Sequence, residues 1–285
     1  MQGLIDHGTA TPYSLNTENK EHSNEKYTIY FGLGLTLSLT HSPEVFKVSA
    51  AGVKLGNYLI RTLDSRTSKQ SFLDVGTGSG VHALLMSKLG NNDVTATDIS
   101  EQAIEHAKHQ ELNNLKKHTI SFYISDLFTC IPERTFQTIV FNPPGWRTPS
   151  RSLMQRLKTI EQTGKMPIEA MFYGEEVVNR FLDGVPRYLS PTGTAIVGVN
   201  SLVGIRDILY KYNKKHKGKP PLAYRLVERH TLPLLYYSTH WQSIQRHLKI
   251  EFENCLKQDL AAYSTDKNGN IFWSYEIIEF FHRKH

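Results

Sequence analysis

The sequence predicts an α/β fold, a mostly parallel sheet with helices on both faces. Three observations carry this expectation. From Ser71 onward, short β-rich runs alternate with helical stretches. A glycine-rich turn, "DVGTGSG", joins the first of these runs to the helix behind it. The chain has 285 residues, 39% hydrophobic and 21% charged, enough to bury the core of one large domain with appendages.

The elements follow in order. Residues 1–26 are polar with little periodicity and read as a loose arm. "KYTIYFGLGLTLSLTHS" holds two β-rich runs around Gly32 and Gly34. Leu33, Leu35, Leu37 and Leu39 alternate with small or polar residues, the pattern of a hairpin. Val53, Leu55, Leu59, Ile60 and Leu63 then recur at roughly helical spacing, giving a lead-in helix. "SFLDVG", "DVTATD", "ISFYISD", "FQTIVFN" and "GTAIVGVN" read as strands. "GVHALLMSKLG", "SEQAIEHAKHQELNNL" and "GEEVVNRFLDGVPRYL" read as helices, the second with Ser100 as its N-cap. "GIRDILYKYNKKH" adds a helix, and "AYRLVERHTLPL" and "NIFWSYEIIEFF" add long strands. A long amphipathic helical stretch, "HWQSIQRHLKIEFENCLKQDL", is expected between those last two strands.

Several function classes are disfavoured. Apolar runs such as "PLLYY" are far too short to span a bilayer, and the first residues lack the apolar core of a signal peptide. The two cysteines, Cys130 and Cys255, form no CxxC and no disulfide framework, so a reducing, cytoplasmic setting is expected. His106 and His109, and His282 and His285, lack Cys or acidic partners at metal spacing, so no metal site is expected. The balance of 33 Lys+Arg against 27 Asp+Glu gives a net charge of +6. The pI near 9.1 permits a nucleic-acid partner, but it suits a mildly basic soluble surface equally well.

The glycine turn is the first chemical signal. Asp74-Val-Gly76-Thr77-Gly78-Ser-Gly80 lies between a buried strand and a helix start. Glycines there let the backbone approach a ligand, and the helix N-terminus offers unpaired N–H groups. Gly78-Ser-Gly80-Val-His-Ala83 also matches the dinucleotide fingerprint G-x-G-x-x-A. Asp74 argues against that reading, because a carboxylate there can hold an ammonium and would repel a pyrophosphate. Asp98 ends the next strand, where a carboxylate accepts from ribose hydroxyls; it can equally serve as an acid favouring the following helix dipole. Asp126 ends the third strand, where it can accept from an exocyclic amine beside apolar Ile99 and Leu127.

Together these residues resemble class I S-adenosylmethionine-dependent methyltransferases, over roughly residues 43–201. The resemblance implies a Rossmann-like seven-stranded sheet with helices on both faces and a final antiparallel strand, plus the N-terminal β-hairpin and helix. It implies that Gly76, Thr77, Gly78 and Gly80 line the methionine part of the cofactor. Asp74 would take its amino group, Asp98 its ribose, and Asp126, beside Ile99 and Leu127, its adenine. The expected organisation is an arm, hairpin and lead-in helix over residues 1–66 and a methyltransferase domain over 67–285, with insertions at about 146–168 and 235–268.

Asn142-Pro143-Pro144 closes the fourth strand and looks like the (Asn/Asp)-Pro-Pro-aromatic motif of enzymes that methylate a planar nitrogen. Such a nitrogen is a poor nucleophile. The Asn142 side-chain oxygen and the Pro143 carbonyl can accept its two N–H bonds and stabilise the charge that develops. Proline fixes φ, so the acceptors are rigid beforehand. This chain departs from the motif at Gly145, where the aromatic is displaced to Trp146. Trp146 is read either as a stacking surface for substrate or as a core or lid aromatic. "HSPEVFKVSAAGVKLGNYLI" is similar to the lead-in of the small methyltransferase domain, with Phe46 a candidate cap over the site or part of a packed linker.

The resemblance leaves the substrate open among a nucleic-acid base amine, a small molecule (a planar amine or another nucleophile such as a thioether) and a protein glutamine. A non-enzymatic binding protein on the same fold is the remaining class. The insertion after Trp146 is expected to be a short amphipathic helix placed as a lid, with Leu153, Leu157 and Ile160 on one face. The basic run Lys211–Lys219 suits phosphate contacts, or simply a solvated helix end.

Overall fold

The structure is a computed structural model and describes residues 4–6, 25–32, 34–63, 70–159, 167–236 and 239–283. The expected boundary at 66/67, Leu33 and Ile160 lie outside the described residues. The chain forms two compact units. One comprises Met1–Asn142 and Arg187–Ile196, the other Pro143–Pro186 and Val197–His285.

In the first unit, β1 (Leu4–Asp6), β2 (Lys26–Gly32) and β3 (Leu35–Thr40) form an antiparallel sheet in that order. The expected hairpin is thus present and gains a strand from the arm. β1 is only three residues long, too short to show alternation in the sequence. Tyr27, Ile29, Phe31, Leu37 and Leu39 are buried, as the alternation requires. The free edge of β3 is not left open. Asn114 and Gln110, one turn apart on α3 (Glu101–Leu115), bond through their amides to both N–H and C=O of Ser38 and Thr40 at 2.9–3.1 Å. α1 (Ala50–Thr62), capped by the Ser49 hydroxyl, packs so closely on β2 that a Cβ at Gly56 would lie 2.7 Å from Phe31.

The parallel core follows. β4 (Phe72–Val75), β5 (Val94–Asp98), β6 (Ile120–Ile124) and β7 (Phe136–Phe141) alternate with α2 (Val81–Lys88) and α3. β4 pairs in parallel with both β5 and β7, and β5 pairs with β6. All of β4 is buried, as expected of a strand covered on both faces. The first part of β8 (Leu189–Asn200) completes the order β8-β7-β4-β5-β6.

The second unit holds the end of β8, then β9 (Leu222–Pro233), β10 (Tyr263–Thr265) and β11 (Ile271–His282). β11 lies between β8 and a long antiparallel β9, so the terminal strand is antiparallel as expected. Three-residue β10 pairs with the start of β11 and raises the sheet from the expected seven strands to eight. α4 (Arg151–Lys158), α5 (Gly174–Tyr188) and α6 (Ile205–Lys215) occupy their expected places. The expected late helical stretch is present as two helices, α7 (Thr239–Ser243) and α8 (Gln245–Lys257), broken at Ile244. Trp241, Ile244, Leu248 and Phe252 keep one buried stripe across the break, which is why the sequence reads as continuous. No helix among the described residues is long and apolar enough to cross a membrane.

Candidate active site

The parallel register brings the predicted acids to one edge of the sheet. Val75 is paired with both Thr97 and Phe141, and Asp98 with Ile124. Asp74, Asp98 and Asn142 therefore sit at the carboxyl ends of adjacent strands, with Asp126 two residues past the end of β6. This is where open α/β sheets bind ligands.

Asp74 is almost fully buried and holds the turn that carries the glycines. Its Oδ2 accepts from the Thr77 hydroxyl at 2.6 Å and the Ala83 N–H at 3.2 Å. Burial pushes its carboxyl up, opposed mainly by His82, whose Nδ1 is 3.9 Å from Oδ1. Asp98 lies just across the turn. Its carboxylate accepts from the N–H groups of Gly78 at 2.9 Å and Ser100 at 3.0 Å, and desolvation raises its pKa against those bonds.

The three loop glycines do different work. All have positive φ, which disfavours any side chain there. A Cβ on Gly78 would meet nothing within 4 Å, so this turn faces open space. A Cβ on Gly80 would lie 3.1 Å from Ala107, so Gly80 allows α2 and α3 to pack closely. Beside this turn, Ile99 is 70% exposed, an apolar side chain held in water next to the partly buried Asp98. Past β6, Leu127 adopts φ 53°, a conformation costly for a branched residue. The Ser125 hydroxyl secures it by donating to the Leu127 carbonyl at 3.0 Å.

Asn142, just past β7, faces the first turn of α1. A Cβ built on Gly52 would be 4.0 Å from the Asn142 Nδ2. His82, buried on α2, donates from Nε2 to the Gly52 carbonyl at 2.9 Å and so ties α1 to the acid-bearing turn. No motif marks His82 in the sequence, and its role becomes visible only when α1 and α2 meet. Phe46, in the loop before α1, is 38% exposed.

The chain after Asn142 belongs to the second unit and is held tightly there. The Trp146 N–H donates to the Met171 carbonyl and the Gly174 N–H to the Trp146 carbonyl, both at 2.8 Å. A Cβ on Gly145 would lie 2.8 Å from the Asn200 Nδ2 and 3.3 Å from the Met171 Cε. Gly145 is therefore a packing requirement of buried Asn200, whose Oδ1 is fixed by the Leu202 N–H at 2.8 Å.

Of the two readings of Trp146, its burial matches the core aromatic and not an exposed stacking surface. It is 2% exposed, at the centre of a cluster with Phe172, Trp241 and Phe252 at ring distances of 5.2, 5.0 and 5.9 Å. α4 joins the same cluster through Leu153 and Leu157, and Glu251 of α8 accepts from the Ser150 N–H and hydroxyl at 2.7 Å. The helix expected as a lid is thus packed against α8, because the two insertions bury each other's apolar faces.

Arg147, missed in the sequence, extends this bracing. It donates to the Val203 carbonyl at 2.9 Å and pairs with Asp207 at 2.6 Å. Buried Glu175 accepts the Thr148 N–H at 2.9 Å and lies 3.6 Å from the Arg147 Nε. Among the described residues no group of His, Cys, Asp and Glu is arranged to hold a metal.

Residues 36–164 match the family model of the methyltransferase small domain. Over 179 residues the chain is 27% identical to a Methanocaldococcus jannaschii protein named as a protein N5-glutamine methyltransferase, covering 62% of this chain and 82% of that one. It is 30% identical over 125 residues to a tRNA1(Val) (adenine(37)-N6)-methyltransferase of Vibrio campbellii, covering 44% of this chain and 50% of that one. The crystal structure of a protein named as a methyltransferase, complexed with SAH, shares the fold. Its TM-score is 0.52 at 12% identity, over 89% of this chain and 56% of that one.

Proposed function

We infer that this chain, a methyltransferase of the small-domain family over residues 36–164, transfers a methyl group from S-adenosylmethionine to a nitrogen on a planar group, with a nucleic-acid base as the target. The observation that carries this reading is the row of strand ends bearing Asp74, Asp98 and Asn142 in parallel register.

The residues suit the cofactor on three counts. The turn at Gly78 faces open space. Asp98 is a partly buried acid in reach of that turn. Ile99 offers an exposed apolar side chain beside it. We assign the ammonium to Asp74, with Gly76, Thr77, Gly78 and Gly80 along the methionine part. Asp98 takes the ribose, and Asp126, with Ile99 and Leu127, the adenine. When bound, S-adenosylmethionine supplies an electrophilic methyl on sulfonium. Asn142 then orients the target nitrogen by accepting one N–H at its side-chain oxygen, and the Pro143 carbonyl accepts the other. Rigid acceptors aim the lone pair and stabilise positive charge on nitrogen, so no strong base is required. Pro143 and Pro144 keep those acceptors in place, with Phe46 as a cap. We read 67–285 as the catalytic domain, 1–66 as its appendage and the setting as cytoplasmic.

A second reading, an amide nitrogen of protein glutamine, draws on Gly145 and buried Trp146. Neither offers a ring to stack on a flat base, and an amide needs none. The test is partition of label. The protein is incubated with methyl-labelled donor and, separately, total RNA, ribosomal proteins with release factors, and a small-metabolite extract. Label in RNA is expected. Label only in the protein fraction establishes the second reading, and label only in metabolites overturns both.

A further inference from the structure

The basic run at the end of α6 is not used by the site described above. α6 buries Ile208 and Tyr212 on one side. Arg206, Tyr210 and Lys214 lie at i, i+4 and i+8 and form one exposed stripe, about 12 Å long at 1.5 Å per residue. Tyr210 is 61% exposed, and the Lys214 ammonium lies 5.7 Å from its ring centre. Beyond the helix, Lys217 and Gly218 turn the chain in left-handed conformation and carry Lys219 onward.

Two features separate this stripe from an ordinary solvated helix end. The first is its charge pairing. Lys211 and Lys215 are neutralised by Asp207 at 2.9 Å and Asp183 at 2.7 Å. Arg206 has only a 3.7 Å contact to Asp259, with both side chains more than 80% exposed. Lys214, Lys217 and Lys219 make no ion pair among the described residues. The second is position. Arg147, one residue past Trp146, grips the first turn of α6 through Asp207 and the Val203 carbonyl. The stripe therefore begins where the segment following Asn142-Pro143-Pro144 is anchored.

We propose that the Arg206–Tyr210–Lys214 stripe, continued by Lys217 and Lys219, docks a single strand of RNA. The cations take phosphates and the Tyr210 ring stacks on an unpaired base. The exposed ring favours RNA over an acidic peptide, which would use the cations alone. This inference rests on the reading that a nucleic-acid base is the target.

The experiment measures fluorescence anisotropy of a labelled oligouridine on the full chain at several salt concentrations, with a polyglutamate peptide as comparator. Lys214→Gln/Lys219→Gln should weaken binding roughly tenfold and lower the log–log salt slope by about 1.4. Tyr210→Ala should weaken it roughly five- to hundred-fold, with recovery in Tyr210→Phe. Lys117→Gln/Lys249→Gln, with the same charge removed elsewhere, should change binding little. Equal loss in that control, no loss in the stripe variants, no binding by the unaltered chain, or equal binding of polyglutamate would each overturn the proposal. Methyl label separates this result from the functional reading. RNA that takes label while stripe variants bind normally sinks the docking surface alone. Stripe-dependent RNA binding with label only in protein or metabolites sinks the target assignment alone.

Discussion

Gly145→Ala tests whether the missing motif aromatic is a matter of packing. The added Cβ would stand 2.8 Å from the Asn200 Nδ2 and 3.3 Å from the Met171 Cε. Methionine can move aside, but Asn200 is held by its Oδ1 bond to the Leu202 N–H at 2.8 Å. To restore ordinary contact the amide must retreat by roughly 0.6 Å, weakening that bond or shifting backbone. Overpacking of this kind costs about 1–3 kcal/mol. At about 2–4 °C per kcal/mol, the melting temperature should fall by at least about 2 °C. Urea denaturation gives the free energy, and a cycle with Asn200→Ala isolates the clash. In the Asn200→Ala background the Gly145→Ala cost should shrink to a few tenths of a kcal/mol. A Gly145→Ala protein as stable as the unaltered chain, or a cost unchanged without Asn200, would refute the reasoning.

Trp146→Ala should cost about 3–5 kcal/mol in urea denaturation, because the ring is buried among Phe172, Trp241 and Phe252. Trp146→Phe, if folded, should keep KM for the methyl acceptor, whereas a stacking role would raise it. Asn142→Ala should lower kcat about 10²–10³-fold with cofactor affinity measured by calorimetry unchanged; loss of affinity instead would move Asn142 out of the catalytic role. Asp98→Asn should weaken S-adenosylmethionine binding at least about tenfold. In the unaltered chain that binding should fade on acidification while free carboxylates are still ionised, since burial raises the Asp98 pKa. His41 is held down to about 4, chiefly by burial and then by Lys47. Its folded pKa is below its unfolded one, so its contribution is complete above pH 6.5 and lost as pH falls toward 4. The loss is at most about 3 kcal/mol and about half that once solvent screening is allowed for. His41→Gln should flatten that part of the stability–pH curve, and an unchanged curve would count against the assignment.

The parallel core was legible because its signals are local. Buried strands read as apolar runs, the glycines mark the turn before α2, and Ser100 marks the start of α3. Acids at strand ends can be found by counting along the chain, since parallel register then sets them side by side. What the sequence could not decide was long-range. β1 is too short to display a period. The break between α7 and α8 is hidden because one apolar stripe crosses it. Trp146 is chemically suited to stacking or to packing, and only the arrival of Phe172, Trp241 and Phe252 from distant segments buries it. His82 and Arg147 carry no motif, and each gains a role from a partner far along the chain.

By itself, then, the sequence determined the α/β class, the order of the strands' chemical groups and the candidate ligand turn, a glycine loop flanked by acids. These depend on periodicity and on backbone freedom, which are properties of neighbouring residues. Tertiary structure decided why position 145 must be glycine and where the displaced aromatic goes. Those are questions of volume, and space is set by residues such as Asn200 and Trp241 that no local pattern connects to the motif.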